Sequence, residues 1–253
     1  MGGTVYLVGA GPGDPELLTL RAAKLLQRAD IVFHDALVHE QTLALATQAR
    51  LVAVGKRCGR LSTAQRFINK QLVDAVRHHG VVVRLKGGDP LLFGRAQEEI
   101  DALHQAGITV EIVPGISAAL SASADIGQSL TQRGVSRSVV FVTPRFGTGE
   151  SEHDWARPAS QADTVALYMA SRQAAAISEG LIAAGVPVSR PAVFVENASL
   201  ASRRIIATRV GDLASAATQL GGGPALLLLG DVYQDIVAAA EQPLCDAVNR
   251  ITA

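Results

Sequence analysis

Short β-branched runs alternate with helix-period segments through the first half of the chain, a pattern that fits a parallel α/β sheet with helical crossovers. Residues 4–9 predict a strand, and residues 16–27 a helix with Leu18, Ala22, Leu25 and Leu26 on one face. Further strands are expected at 31–34, 51–54, 81–86 and 110–113. Ser62 and Gln65 have capping-box spacing, and Ala64, Ile68, Leu72 and Val76 form the apolar stripe of the helix they open. Pro114-Gly115 breaks the pattern, and a small-residue helix from 116 to about 124 follows.

The second half reads differently. Strands are expected at 138–143, 164–169, 192–196, 204–208 and 225–229, with a helix at 172–184. The short link before 204–208 predicts a hairpin and a mixed sheet, and Gly221-Gly222-Gly223 reads as a flexible turn. The expectation is two α/β domains: residues 1–115, mainly parallel, and residues 116–242, mixed, followed by a tail at 243–253. A chain of 253 residues with 48% hydrophobic side chains has the material for two such cores.

Composition narrows the partners. Lys+Arg and Asp+Glu both number 23, so no global basic field draws in a nucleic-acid backbone. Aromatic residues are 4% of the chain, and Trp155 is the one tryptophan, a poor basis for stacking single-stranded bases. The longest apolar runs, such as 225–229, are far too short to span a bilayer. Cys58 and Cys245 lack metal-ligand spacing and fit a reducing compartment. No secretory leader is expected, and the expected location is the cytoplasm, with no membrane, nucleic-acid or metal partner.

Two glycine-rich turns carry chemistry. VGAGPGD at 8–14 follows the first strand, where glycines admit close backbone approach to a ligand. A dinucleotide fingerprint fails on spacing, because Asp14 stands where its third glycine belongs and would meet a pyrophosphate unfavourably. RLKGGDPLLFGR at 84–95 ends another strand, at the sheet edge where open α/β sheets bind ligands. There Asp89 can accept from ribose hydroxyls or an amino group, or simply close an Asx-turn.

VGAGPGD at 8–14, DALV at 35–38, GKR at 55–57, VVRLKGGDP at 82–90, FGR at 93–95 with Glu98-Glu99, and VPGIS at 113–117 occur in that order. LTQR at 130–133, YM at 168–169 and VENAS at 195–199 continue the series. This ordered set resembles the tetrapyrrole (corrin/porphyrin) methyltransferases over nearly the whole chain. The resemblance implies a two-domain α/β fold, S-adenosylmethionine in a cleft between domains, S-adenosylhomocysteine as product, and a homodimer. It also implies uroporphyrinogen III as substrate, methylated at ring carbons 2 and 7 to give precorrin-2 through precorrin-1.

Carried over by position, the resemblance gives Pro12, Gly87, Gly88, Asp89, Leu92, Ser117, Ala118, Met169 and Ala198 as cofactor contacts. Asp35, Lys56 and Arg95 become the catalytic candidates, with Asp35 ranked first as proton acceptor. Arg95, Glu98, Arg133 and Met169 become the substrate contacts. A porphyrinogen with eight carboxylates calls for forked cations, and Arg57, Arg60, Arg84, Arg95, Arg133 and Arg137 lie beside the motifs. Arg95 and Glu98 are one helical turn apart and can pair.

Three departures fall on the substrate-facing side. The family's usual IPLTHR is QSLTQR at 128–133, with Gln132 replacing a titratable histidine. Thr143-Pro144-Arg145 stands where a TGH-like triplet is common, and YMG is YMA with Ala170. Alternatives are a methylase of a later corrin precursor, an RNA or diphthamide-type methylase on the same fold, and a degenerate binding protein without catalysis. A nicotinamide dehydrogenase is disfavoured by Asp14.

Overall fold

The computed structural model describes residues 4–54, 61–145 and 154–242. The first half contains β1 (Thr4–Gly9), α1 (Leu20–Gln27), β2 (Ile31–His34), α2 (Glu40–Leu43), β3 (Arg50–Ala53), α3 (Leu61–Ala75), β4 (Val81–Lys86), α4 (Ala96–Gln105), β5 (Thr109–Val113) and α5 (Ala118–Ile126). Then come β6 (Val139–Val142), α6 (Ala156–Gln161), β7 (Thr164–Leu167), α7 (Ala174–Ala183), β8 (Pro191–Glu196), β9 (Arg204–Arg209), α8 (Leu213–Ala217), β10 (Ala225–Gly230) and α9 (Gln234–Glu241). The chain forms two compact units, one running to Ser121 and including Ala198–Ala201, the other holding most of the remainder.

The first sheet is parallel throughout, in the order β3-β2-β4-β1-β5. Strand alternation sends Val5, Leu7, Phe33 and Val82 to one face, where they pack with Leu72 of α3 and Leu103 of α4. Val8, Val32, Val83 and Leu85 face the other way, against Leu25 and Leu26 of α1. Full burial of a leucine such as Leu7, Leu72 or Leu103 stabilises by about 1.5–3 kcal/mol each. The parallel arrangement puts the turns after β1, β2, β4 and β5 at one edge of the sheet, the edge where such sheets bind ligands.

The second sheet is mixed, in the order β6-β7-β10-β8-β9. β6 and β7 run parallel, while β10 is antiparallel to both β7 and β8. β8 and β9 form the antiparallel pair expected of a hairpin, in register from Pro191↔Arg209 to Glu196↔Arg204. Leu167, Phe194, Leu227 and Leu229 pack with Ile177 and Leu181 of α7 and Leu213 of α8. The two sheets have the fold class expected from the sequence, a parallel sheet and a mixed one.

The helix expected over 16–27 is divided. Asp14 Oδ1 accepts from Glu16 N at 2.8 Å and caps a single 3-10 turn, Pro15–Leu17. Thr19 then takes an extended backbone and accepts from Ala22 N at 3.2 Å, starting α1 afresh. A capping threonine inside the periodic segment thus ends one helix and begins the next. The glycines at 221–223 are fastened at two points: Gly221 N and Gly223 N donate to the buried Glu196 carboxylate at 2.8 and 2.6 Å. Among the described residues, no helix is long and apolar enough to cross a membrane.

Candidate active site

In the first unit, the turns that leave β1, β4 and β5 interlock through backbone alone. Gly11 N donates to Gly88 O at 3.2 Å and Gly88 N to Gly11 O at 2.7 Å, an isolated antiparallel bridge between the two glycine-rich motifs. A Cβ on Gly9 would lie 2.6 Å from Gly115 Cα, and one on Gly115 would lie 2.3 Å from Gly88 O. These glycines are therefore required by the mutual approach of three turns. Gly88 differs, with φ of 67° and, among the described residues, nothing closer than Ser117 Cα, 4.0 Å from where its Cβ would stand. Its outer face is bare backbone, against which a ligand can lie.

Asp89 shapes this region. Its Oδ1 accepts from Leu91 N at 2.9 Å, the Asx-turn, while its Oδ2 accepts from Gly115 N at 3.0 Å. Leu92 N donates to Asp89 O at 3.3 Å, so the cofactor candidates Gly87, Gly88, Asp89 and Leu92 share one loop. Ser117 is buried just ahead of α5, and its carbonyl accepts from Leu120 N and Ser121 N; half-buried Ala118 opens that helix. Half-buried Pro12 lies in the first turn, and Asp14 N donates to Ser199 Oγ at 2.9 Å. That bond draws the segment holding Ala198, itself buried, into the first unit.

Asp35 follows β2 at the same sheet edge, its side chain 30% exposed, and receives Arg84 Nη2 at 2.5 Å. Arg84 is only 2% exposed. Its Nη1 donates to Phe33 O at 3.4 Å and Leu85 O at 3.1 Å, and its Nε to Glu99 Oε1 at 3.0 Å. The sequence reading of Arg84 as a cation for substrate carboxylates is corrected here. By strand alternation Arg84 shares the face of Val82, so it projects under α3 and α4 and its charge is spent inside the protein.

Glu99 is the residue that sequence reasoning missed. It is fully buried, with Oε1 accepting also from Gln65 Nε2 at 3.2 Å and Oε2 from Lys86 Nζ at 3.1 Å. Burial, and then the neighbouring Arg84 charge, hold the Lys86 ammonium below the ordinary lysine range. A signal was present: Ala96, Glu99, Ile100 and Leu103 are the buried residues of α4, and their spacing is that of an apolar helix stripe. An acid on such a stripe needs a buried cation, and Arg84 and Lys86 alternate on β4 toward it.

Arg95 caps α4 in a left-handed conformation, φ of 54°, and grips Glu98 with both Nε and Nη2, at 2.6 and 2.8 Å. The pair foreseen from spacing is thus bidentate, with both side chains largely exposed. In the second unit the strand expected over 164–169 stops at Leu167, and Met169 lies in the turn after β7 with φ of 59° and 42% exposed, so it is no strand-end core residue. Arg133 is exposed on the turn closed by the Gln132–Ser136 bridge, and Arg137 is exposed beside it. Lys56, Arg57, Arg60 and Cys58 lie outside the described residues, as does Cys245.

Comparison with known proteins identifies the family and matches the fold. The model of the Tetrapyrrole (Corrin/Porphyrin) Methylases matches residues 4–214. Uroporphyrinogen-III C-methyltransferase of Pseudomonas aeruginosa is 44% identical over 239 residues, covering 94% of this chain and 97% of that protein. Siroheme synthase 1 of Klebsiella pneumoniae is 42% identical over 233 residues, and the chain spans 49% of its length. Among solved structures, uroporphyrin-III C-methyl transferase from Thermus thermophilus, complexed with S-adenosylhomocysteine, has a TM-score of 0.80 at 38% identity. That match covers 92% of this chain and 100% of the other.

Proposed function

The chain belongs to the tetrapyrrole (corrin/porphyrin) methylases, and from that premise we propose that it methylates uroporphyrinogen III at ring carbons 2 and 7, giving precorrin-2 through precorrin-1. The observation that carries the reading is Asp35, a carboxylate held on one oxygen by Arg84 and still part-exposed at the sheet edge that bears the glycine turns. S-adenosylmethionine, when bound, supplies an electrophilic methyl carbon on a sulfonium. The bare face of Gly88 and the interlocked turns around it fit such a ligand, because among the described residues these glycines offer backbone for close approach.

The candidate residues then divide the work. Gly87, Gly88, Asp89, Leu92, Pro12, Ser117, Ala118, Met169 and Ala198 hold the cofactor. Positioning of donor and acceptor accounts for most of the rate, since a carbon nucleophile needs an in-line approach. Asp35 takes up the proton that the methylated ring must lose. An arginine is a poor base, because its guanidinium stays protonated throughout the working pH range. Arg95, oriented by Glu98, therefore serves the substrate carboxylates, together with Arg133. Lys56 is the acid–base partner of Asp35. The enzyme works as a homodimer in the cytoplasm and releases S-adenosylhomocysteine.

The test is anaerobic incubation with S-adenosylmethionine and enzymatically generated uroporphyrinogen III, followed by mass analysis of the oxidised products. A gain of two methyl groups, abolished or strongly reduced in Asp35→Asn, is expected. If S-adenosylhomocysteine binds but no methyl is transferred, the acceptor is a different molecule.

A further inference from the structure

Behind Asp35 the described residues form a chain of alternating charge: Asp35, Arg84, Glu99 and Lys86, linked at 2.5, 3.0 and 3.1 Å. The last three are 2%, 0% and 4% exposed, while Asp35 is 30% exposed. The network therefore surfaces at Asp35. It is tethered on the inner side as well, since Gln65 of α3 donates to Glu99 and to Asn69 Oδ1, and Asn69 donates to Glu98 O.

The fold has little need for this arrangement. Buried ion pairs roughly break even with apolar residues of the same volume, and the surroundings are already apolar, with Val82, Leu72 and Leu103 on the same face. What the network does accomplish is geometric. A guanidinium is a rigid planar fork, and Arg84 makes bonds from all three of its nitrogens to four different residues. It sits within β4, bonded on both sides of the sheet register, so it holds the Asp35 carboxylate far more firmly than a surface cation would. Glu99 sets the Nε end of that fork, and Lys86 holds its other oxygen as a second buried cation, balancing the Arg84 charge already shared with Asp35.

We infer that Arg84 and Glu99 are positioning residues for methyl transfer: Glu99 fixes the Arg84 guanidinium, and Arg84 fixes the Asp35 carboxylate through Oδ1. The inference rests on Asp35 being the proton acceptor proposed above. It assigns a function to two buried side chains that need never touch substrate.

The experiment compares wild type with Asp35→Asn, Arg84→Lys, Glu99→Gln and the Asp35→Asn/Glu99→Gln double variant. Steady-state kcat and KM for uroporphyrinogen III are read beside S-adenosylhomocysteine affinity by calorimetry. Expected are a roughly 10-fold fall in kcat for Glu99→Gln and about 100-fold for Arg84→Lys, the scale of a misplaced catalytic group. KM and cofactor-product affinity should stay within about twofold, and Glu99→Gln should cost nothing further once Asp35 is Asn. Full activity in Asp35→Asn overturns the base assignment and this inference with it. A crippled Asp35→Asn beside wild-type kcat in Glu99→Gln and Arg84→Lys overturns the positioning role alone. Should Glu99→Gln fail to fold, Glu99→Asp replaces it under the same criteria, keeping the charge while withdrawing it by one methylene.

Discussion

Asp89 Oδ2 accepts the Gly115 backbone N–H at 3.0 Å, so a side chain from the turn after β4 fastens the turn after β5. Its Oδ1 is engaged within its own loop by Leu91 N. The residue that looks most like a ligand contact in the sequence is thus first a strut. Any ligand it meets is met with a carboxylate already fixed in place.

Asp89→Ala should therefore do two things at once. Losing two bonds to an anionic acceptor should cost about 2–4 kcal/mol of stability, read by urea denaturation. S-adenosylhomocysteine affinity should fall with it. Asp89→Asn retains the acceptor on one side and should lose roughly half as much. A stable Asp89→Ala protein with weakened ligand binding would mean that the Gly115 tie is dispensable.

Gly115→Ala tests the interlock behind that tie. The new Cβ would meet Gly88 O at 2.3 Å and Gly9 Cα at 2.8 Å, both backbone atoms that cannot swing aside. A loss of about 3 kcal/mol or failure to fold is expected. Gly80→Ala is the control, since among the described residues its Cβ would have Asp30 Oδ2 at 3.6 Å as nearest atom, an ordinary contact. Its stability should change by less than about 1 kcal/mol.

Much of this architecture was legible. β1, β2 and β4 match their expected bounds because parallel strands buried on both faces read as unbroken β-branched runs. The first helix was overextended because periodicity is blind to a cap: Thr19 suits an amphipathic face as well as it suits an N-cap. Asp89, Arg95 and Asp35 could be picked out by motif, yet what holds them could not. Their partners Gly115, Glu98 and Arg84 span separations of 26, 3 and 49 residues, and local pattern predicts only the second. Arg84 was misread for the same reason, since a cation beside a motif looks identical whether it faces solvent or α4.

Tyr233 gives a prediction in the alkaline range. It is fully buried, and its hydroxyl has no hydrogen-bond partner among the described residues. Burial pushes its phenol above the ordinary tyrosine value of 10. Below that value the native and unfolded states are both protonated and the stabilising contribution is complete. As pH rises past it the unfolded chain ionises first, so stability is lost by up to about 1.4 kcal/mol per pH unit. Lys86, with its pKa lowered, works in the opposite direction as pH approaches the ordinary lysine value of 10.5, but it is common to both proteins in a comparison with Tyr233→Phe. Chemical denaturation from pH 8 to 11 should show a shallower alkaline decline in Tyr233→Phe. It should also show a gain of about 1 kcal/mol at neutral pH from removing an unpaired hydroxyl. Equal slopes in the two proteins would refute the assignment.

Met169 separates stability from function most sharply. A non-glycine residue at φ of 59° costs about 1–2 kcal/mol, and a methionine left 42% exposed recovers little of that by burial. Strain that packing does not repay marks a position kept for what the side chain or backbone does there. Met169→Gly should relieve the strain, offset by glycine's extra unfolded-state entropy of about 0.5–1 kcal/mol, leaving stability unchanged or slightly higher. Turnover of uroporphyrinogen III should fall by about tenfold, because the contact to the reactants proposed for Met169 is removed. Met169→Leu should keep the strain and most of the activity. Should Met169→Gly instead lose more than about 2 kcal/mol while retaining full turnover, the methionine would be structural and its place among the ligand contacts would be lost.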